Sequence, residues 1–230
     1  MNGKLIVIEG TDCSGKQTQS EMLEARLKRA GKKVVKLSFP MYDTPTGKII
    51  GASYLGKPEM GPCLFEEGAV NVDPKVASLL YAADRLYNKP VIESYLDQGY
   101  IVILDRYVES NMAHQGGKFN NQYERIEMYQ WLENLEYRVN EMPVPDHHIL
   151  LHLPHEHALK NRKNRVEAAD QHEASEEHLR DAEKAYQEIA NMFDFTIISC
   201  ADGDHRRSRE DVNEELYNVV TQSLSRQLKV

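Results

Sequence analysis

The chain has 230 residues, 41% hydrophobic and 28% charged, which suits one α/β domain with a substantial core. Its net charge of −8 argues against general affinity for nucleic acid or anionic membrane, and no apolar run approaches transmembrane length. Cys13, Cys63 and Cys200 supply no disulfide framework and no zinc spacing; with an opening directly on a core strand, they predict a cytoplasmic protein without a signal peptide.

Residues 5–9 form a short apolar run with β-branched members and predict the first strand. Gly10-Thr11-Asp12-Cys13-Ser14-Gly15-Lys16-Gln17-Thr18 follows, and residues 19–27 read as a helix. Strand, glycine loop and helix is the context of a phosphate-binding loop. Gly10 and Gly15 permit backbone angles that a side chain forbids, so successive N–H groups can point at phosphate oxygens. The helix N-terminus adds positive potential, and Lys16 adds a mobile charge for β- and γ-phosphates. Gln17 stands where a Ser or Thr normally ligates magnesium, and Thr18 comes one place late. Metal placement is therefore expected to depend on carboxylates such as Asp12, directly or through water. Cys13 reads either as loop filler or as a thiol whose pKa is lowered by the helix N-terminus and Lys16.

After a turn at Gly31, residues 34–39 predict a second strand, stopped by Pro40. Residues 48–54 read as a short helix and 56–72 as an irregular surface excursion. Asp73 and Pro74 open a helix as N-cap and first position, running to Tyr87. A separate helical stretch covers 91–96 and ends at Gly99. Residues 100–104 predict a strand buried on both faces, with Asp105-Arg106-Tyr107 at its C-terminal end. Residues 111–118 continue as a loop or short helix, and 122–142 carry helical spacing through Ile126, Tyr129, Leu132, Leu135 and Val139. A fourth strand (148–153), a helix ending in a basic cluster (154–165), a polar segment (166–175) and a helix (176–192) follow. A fifth strand (195–199) and a last helix (208–228) complete the chain, with His205-Arg206-Arg207 as a solvated turn. The alternation predicts a five-stranded parallel sheet with helices on both faces. Ligands bind beyond the C-terminal strand ends of such sheets, where Gly10 to Lys16, Phe39-Pro40 and Asp105-Arg106-Tyr107 fall.

Phe39-Pro40, Tyr81-Ala82-Ala83-Asp84-Arg85, Asp105-Arg106-Tyr107 and Ser110-Asn111-Met112-Ala113-His114-Gln115-Gly116 follow the phosphate loop in this order. Together they resemble the thymidylate kinase family of P-loop nucleoside monophosphate kinases over nearly the whole chain. The resemblance implies a homodimer that transfers the γ-phosphoryl group of ATP to dTMP with Mg2+, giving dTDP. It implies that Arg106 grips the acceptor phosphate, that Arg85 and Asn111 hydrogen-bond the thymine, and that Tyr81 stacks on it. Phe39, Pro40, Tyr42 and Gln115 would line the acceptor site. Asp12 would lie near the acceptor 3′-hydroxyl and the metal, with Asp105 and Thr18 as further metal candidates. His114 stands where the family commonly has a tyrosine beneath the deoxyribose, and Glu173 matches an acidic position near the metal or sugar. The family also needs a mobile arginine over the transferring group. With Cys13 at the loop position, a mobile lid at about residues 160–175 must supply it, from Arg162 or Arg165. Lys16, Arg106, Asp12 and that arginine would form the catalytic set of one kinase domain spanning residues 1–230.

Plainer readings stand beside these. Arg106 could pair with Asp105 or Glu109, and Arg85 could be a helix-surface charge. The acceptor could be another deoxynucleotide or a nucleoside, although Arg106 favours a monophosphate. Gln17, Cys13 and the sparse lid leave open a nucleotide-binding sensor without turnover.

Overall fold

Strand β1, Lys4–Glu9, is apolar on both faces: Leu5 and Val7 pack to one side, Ile6 and Ile8 to the other. Two-sided burial is what a central parallel strand requires. In the computed structural model, which describes residues 3–162 and 176–226, β1 pairs in parallel with β3 (Ile101–Asp105) and β4 (His147–His152). Strands β2 (Val34–Ser38) and β5 (Thr196–Ser199) flank them, giving the order β2-β3-β1-β4-β5. The five-stranded parallel sheet is as expected.

Helices α3 (Pro74–Asp97), α4 (Val108–Gly116), α5 (Gln122–Glu133) and α7 (Glu176–Met192) cover the face of Leu5 and Val7. Helices α1 (Lys16–Arg29), α6 (His155–Arg162) and α8 (Arg209–Arg226) cover the other. Short helix α2 (Pro45–Ile49) starts at Thr44, whose hydroxyl accepts from the Gly47 N–H, and runs into a π-helical turn, Ile50–Tyr54.

The chain departs from its sequence pattern in four places. The expected break near Pro90 is absent, and Pro90 lies inside α3. A mid-helix proline costs about 3 kcal/mol; burial of Asp84, Arg85 and Asn88 before it and Ile92 and Leu96 after it holds the helix together. The helical pattern of 122–142 divides into α5 and a π-helical turn, Asn134–Val139, in which Glu136 is fully buried. The excursion at 56–72 is irregular but not merely superficial: Ala69 and Val72 join Ile50, Tyr54, Leu55 and Ala77 in a small separate core. Lys118 ties it down by donating to the carbonyls of Ala69 (3.3 Å) and Val72 (2.8 Å). Finally, the expected turn at 205–207 is part of a hairpin, β6 (Ala201–Asp202) with β7 (His205–Arg206).

Candidate active site

β1 ends where the chain must turn sharply into α1. A Cβ on Gly10 would lie 2.5 Å from the Leu151 carbonyl oxygen, so only glycine fits there. Cys13 and Gly15 also take positive φ, 64° and 96°, curling the loop around its own N–H groups. The hydroxyls of Thr11 and Ser14 are buried without a hydrogen-bond partner among the described residues. Lys16 donates from Nζ to the Thr11 carbonyl at 2.7 Å. Burial, then the nearby Arg106, lower its pKa to about 8 against the pull of Asp12, Asp105 and Glu9. A bound anion would raise it again by favouring the charged form. Gln17 turns outward to Glu21 (Nε2 to Oε1, 3.1 Å), and Thr18 is half-buried.

Beside the loop lies a cavity of about 540 Å³, its open mouth included. Asp12, Phe39, Pro40, Tyr42, Tyr81, Arg85, Arg106, Asn111, His114 and Gln115 all line it. Leu55, Tyr107 and Ser110 complete the wall and were not among the sequence candidates. Tyr81 stands edge-on to Tyr54 at 5.7 Å, so the small core built with the 56–72 excursion supports the aromatic wall. The buried carboxylate of Asp84 fixes the segment after Pro40, accepting from Met41 N–H (2.9 Å), the Thr46 hydroxyl (2.7 Å) and Asn88 Nδ2 (3.1 Å). No local pattern reveals that role, because Asp84 reaches across some forty positions of sequence.

Arg85 is not a surface charge. Its side chain is buried and paired with the buried Glu136, while Nη1 donates to the Tyr107 carbonyl at 3.3 Å. Burial opposes its charge, but Glu136 outweighs burial and raises its pKa. Arg106 pairs with neither Asp105 nor Glu109. Its guanidinium meets the Asp12 carboxylate, Ser110 Oγ (3.2 Å), His114 Nε2 (3.3 Å) and Tyr186 OH (3.4 Å). Burial again opposes the charge and is overruled, chiefly by Asp12.

The support behind Arg106 is Glu9, fully buried at the end of β1. It accepts from the N–H groups of Tyr107 (2.8 Å) and Ser110 (3.1 Å), from Ser110 Oγ (2.6 Å) and from Tyr186 OH (3.1 Å). Burial and the neighbouring Glu109 raise its pKa. His114 Nε2 faces a guanidinium that only donates, so it accepts. Its Nδ1 then donates to His178 Nε2 at 3.1 Å. His178 is buried, which lowers its pKa to about 4.

Asn111 Nδ2 donates to the Ser78 carbonyl at 3.2 Å, leaving Oδ1 buried and without a partner among the described residues. Gln115 is fully buried, and neither of its amide atoms has a partner among the described residues. Two residues of the cavity wall thus carry buried amide atoms without partners among the described residues, at the expense of the free protein. Among the described residues no three His, Cys, Asp or Glu side chains form a ready metal centre. Asp105 is buried beside Lys16 and Arg106 and makes no side-chain hydrogen bond among the described residues. A hard cation such as Mg2+, which needs one or two carboxylates and completes its shell with phosphate and water, fits Asp105 and Asp12. Arg165 and Glu173 lie outside the described residues, as does the side chain of Arg162, which ends α6.

A family model described as thymidylate kinase matches residues 8–215. The thymidylate kinase of Halothermothrix orenii is 31% identical over 225 residues, 96% of this chain and 97% of that protein. That of Bifidobacterium longum is 34% identical over 161 residues, 66% and 73% of the two chains. The structure of the thymidylate kinase of Candida albicans superposes with a TM-score of 0.72 at 27% identity, covering 96% of this chain and 92% of that one.

Proposed function

Because the chain belongs to the thymidylate kinase family, we propose that the cavity is its dTMP site and that the loop beside it holds ATP. The enzyme is a nucleoside monophosphate kinase that transfers the γ-phosphoryl group of ATP to dTMP, giving dTDP. The observation that best supports the site assignment is the Asp12–Arg106 contact, which joins the phosphate loop to the cavity.

The acceptor phosphate takes Arg106 from Asp12 and receives its paired N–H groups. Asp12 is then free for the sugar hydroxyl or the metal. Glu9, Ser110 and Tyr186 keep the guanidinium aimed while it changes partner. The open amide atoms of Asn111 and Gln115, with Arg85, read the imide edge of thymine, and Tyr81 packs on its face. Lys16 leaves the Thr11 carbonyl for the β- and γ-phosphates. The acceptor phosphate is already an anionic nucleophile, so charge neutralisation and positioning carry the reaction and no strong base is needed. Asp105 and Asp12, with Thr18 as a further candidate, would hold Mg2+, which when bound would supply positive charge beside that of Lys16 and Arg106. Arg162 or Arg165 would close over the transferring group from the lid, with Glu173 near the sugar.

We further propose that residues 1–230 act as one kinase domain in a cytoplasmic homodimer. The cysteines, none of them in a disulfide among the described residues, support a reducing setting. The outer face of α3 supports self-association: Val76, Leu79, Leu86, Tyr87 and Val91 are exposed along it.

ADP release from ATP and Mg2+, measured with dTMP, dUMP, dCMP, dGMP and thymidine separately, tests the reading. Strong release with dTMP is the expected result. Release with a different acceptor alone would overturn the substrate, and no acceptor-dependent release would overturn the activity.

A further inference from the structure

Arg206 and Arg207 are sequence neighbours with different surroundings. Arg207 is committed: it donates to the Ser199 carbonyl (2.8 Å) and Glu215 Oε2 (2.7 Å) from Nη1, and to the Asp211 carbonyl (3.4 Å) from Nη2. Arg206, at the end of the exposed hairpin, has no carboxylate partner among the described residues. Its guanidinium instead reaches the phosphate loop, where Nη2 donates to the Ser14 carbonyl at 3.4 Å. The same nitrogen lies 3.1 Å from where a Cβ on Gly15 would stand.

We propose that Arg206 is a donor-side binding residue whose guanidinium takes the polyphosphate of the nucleoside triphosphate held by the loop. This rests on the reading of the loop as the ATP site. The other loop cations are engaged: Lys16 donates to the Thr11 carbonyl with a weakened hold on its proton, and Arg106 is paired with Asp12. A polyanion therefore meets Arg206 as a cation whose one hydrogen bond to the loop is long and goes to a neutral carbonyl. Exchanging it for charge-assisted bonds to phosphate oxygens is favourable, and the planar fork of guanidinium matches them in pairs. Arg206 does not line the acceptor cavity, so its effect belongs to the donor alone.

The test compares Arg206→Gln, Arg206→Lys and Arg207→Gln. Steady-state KM is measured for ATP and dTMP, and binding of ATP and AMP by calorimetry. Arg206→Gln should weaken ATP about tenfold in KM and Kd, leave the dTMP KM unchanged and weaken AMP less. Arg206→Lys should recover part of the loss, and Arg207→Gln should lower Tm without moving the ATP KM. Unchanged ATP affinity in Arg206→Gln, an equal loss for AMP, or an equal rise in the dTMP KM would overturn the proposal. Wild-type protein that fails to bind ATP would overturn the loop assignment and the proposal together; wild-type binding matched by Arg206→Gln would overturn the proposal alone.

Discussion

The carboxylate of Asp12 and the guanidinium of Arg106, 94 positions apart, are in direct contact where the phosphate loop meets the cavity. An acceptor phosphate must compete with that carboxylate for the same N–H groups. Arg106→Lys keeps the charge but loses the paired geometry, and should lower kcat/KM for dTMP by about 10²-fold. Asp12→Asn removes the competitor. Calorimetry should show dTMP bound at least as tightly as by wild type, while kcat falls. Weaker dTMP binding by Asp12→Asn would mean that Asp12 positions Arg106 rather than competing for it.

Arg85 and Glu136 form a pair with both side chains out of solvent, 2% and 0% exposed. Removing one partner strands a buried charge. Glu136→Ala should cost about 3–5 kcal/mol in urea denaturation, and Arg85→Met with Glu136→Leu should cost less than either single change. A double variant that loses the sum of the two singles would count against the coupling.

Gln115 separates a ligand role from a structural one. With both amide atoms unpartnered among the described residues, it costs the free protein stability, so Gln115→Leu should leave Tm unchanged or higher. It should nevertheless weaken dTMP about tenfold. A variant that melts earlier and binds normally would make Gln115 a packing residue.

The buried Glu109 accepts from Tyr137 OH (2.5 Å) and His148 Nε2 (3.2 Å). Burial opposes the charge on both groups, and their mutual attraction prevails, lowering the Glu109 pKa and raising that of His148. The histidine's contribution is therefore complete below its ordinary 6.5 and fades as pH rises through the raised value. That of Glu109 is present above its ordinary 4.5 and fades as pH falls through the lowered value. His148→Gln should destabilise more at about pH 6 than at about pH 8. His178 acts in the opposite sense, since its pKa of about 4 lies below the ordinary 6.5. The unfolded chain takes up that proton first, so stability falls as pH drops from 6.5 towards about 4. His178→Phe should flatten this limb in urea titrations.

The apolar outer face of α3 leads to an oligomer prediction. Val76, Leu79, Leu86, Tyr87 and Val91 are each 42–56% exposed. Wild type should sediment as a dimer, and Leu86→Glu should shift it to monomer. A monomeric wild type would leave that face to another role.

Local chemistry carried the chain a long way. Glycine spacing between a β-branched strand and a helix identified the phosphate loop, because the turn itself demands those residues. Uniform apolarity at 101–104 marked a strand buried on both faces, and period and turn residues located the other layers. The family runs then named most of the cavity wall. What escaped is what depends on distant partners. Pro90 breaks a helix in isolation, and only burial on both sides of it in α3 overrides that. Asp84, Glu136 and Glu9 are ordinary acidic residues in sequence, and each became structural by meeting a loop, a guanidinium or a helix start far along the chain. Arg206 and Arg207 are indistinguishable as a basic pair; one was claimed by Glu215 and the other laid against Gly15 by a two-stranded hairpin. Residue type and spacing determined which chemistry this chain can perform. The tertiary structure decided which charges are already paired and which stay open to a ligand, because a charge's partner is set by proximity in space and not by neighbourhood along the chain.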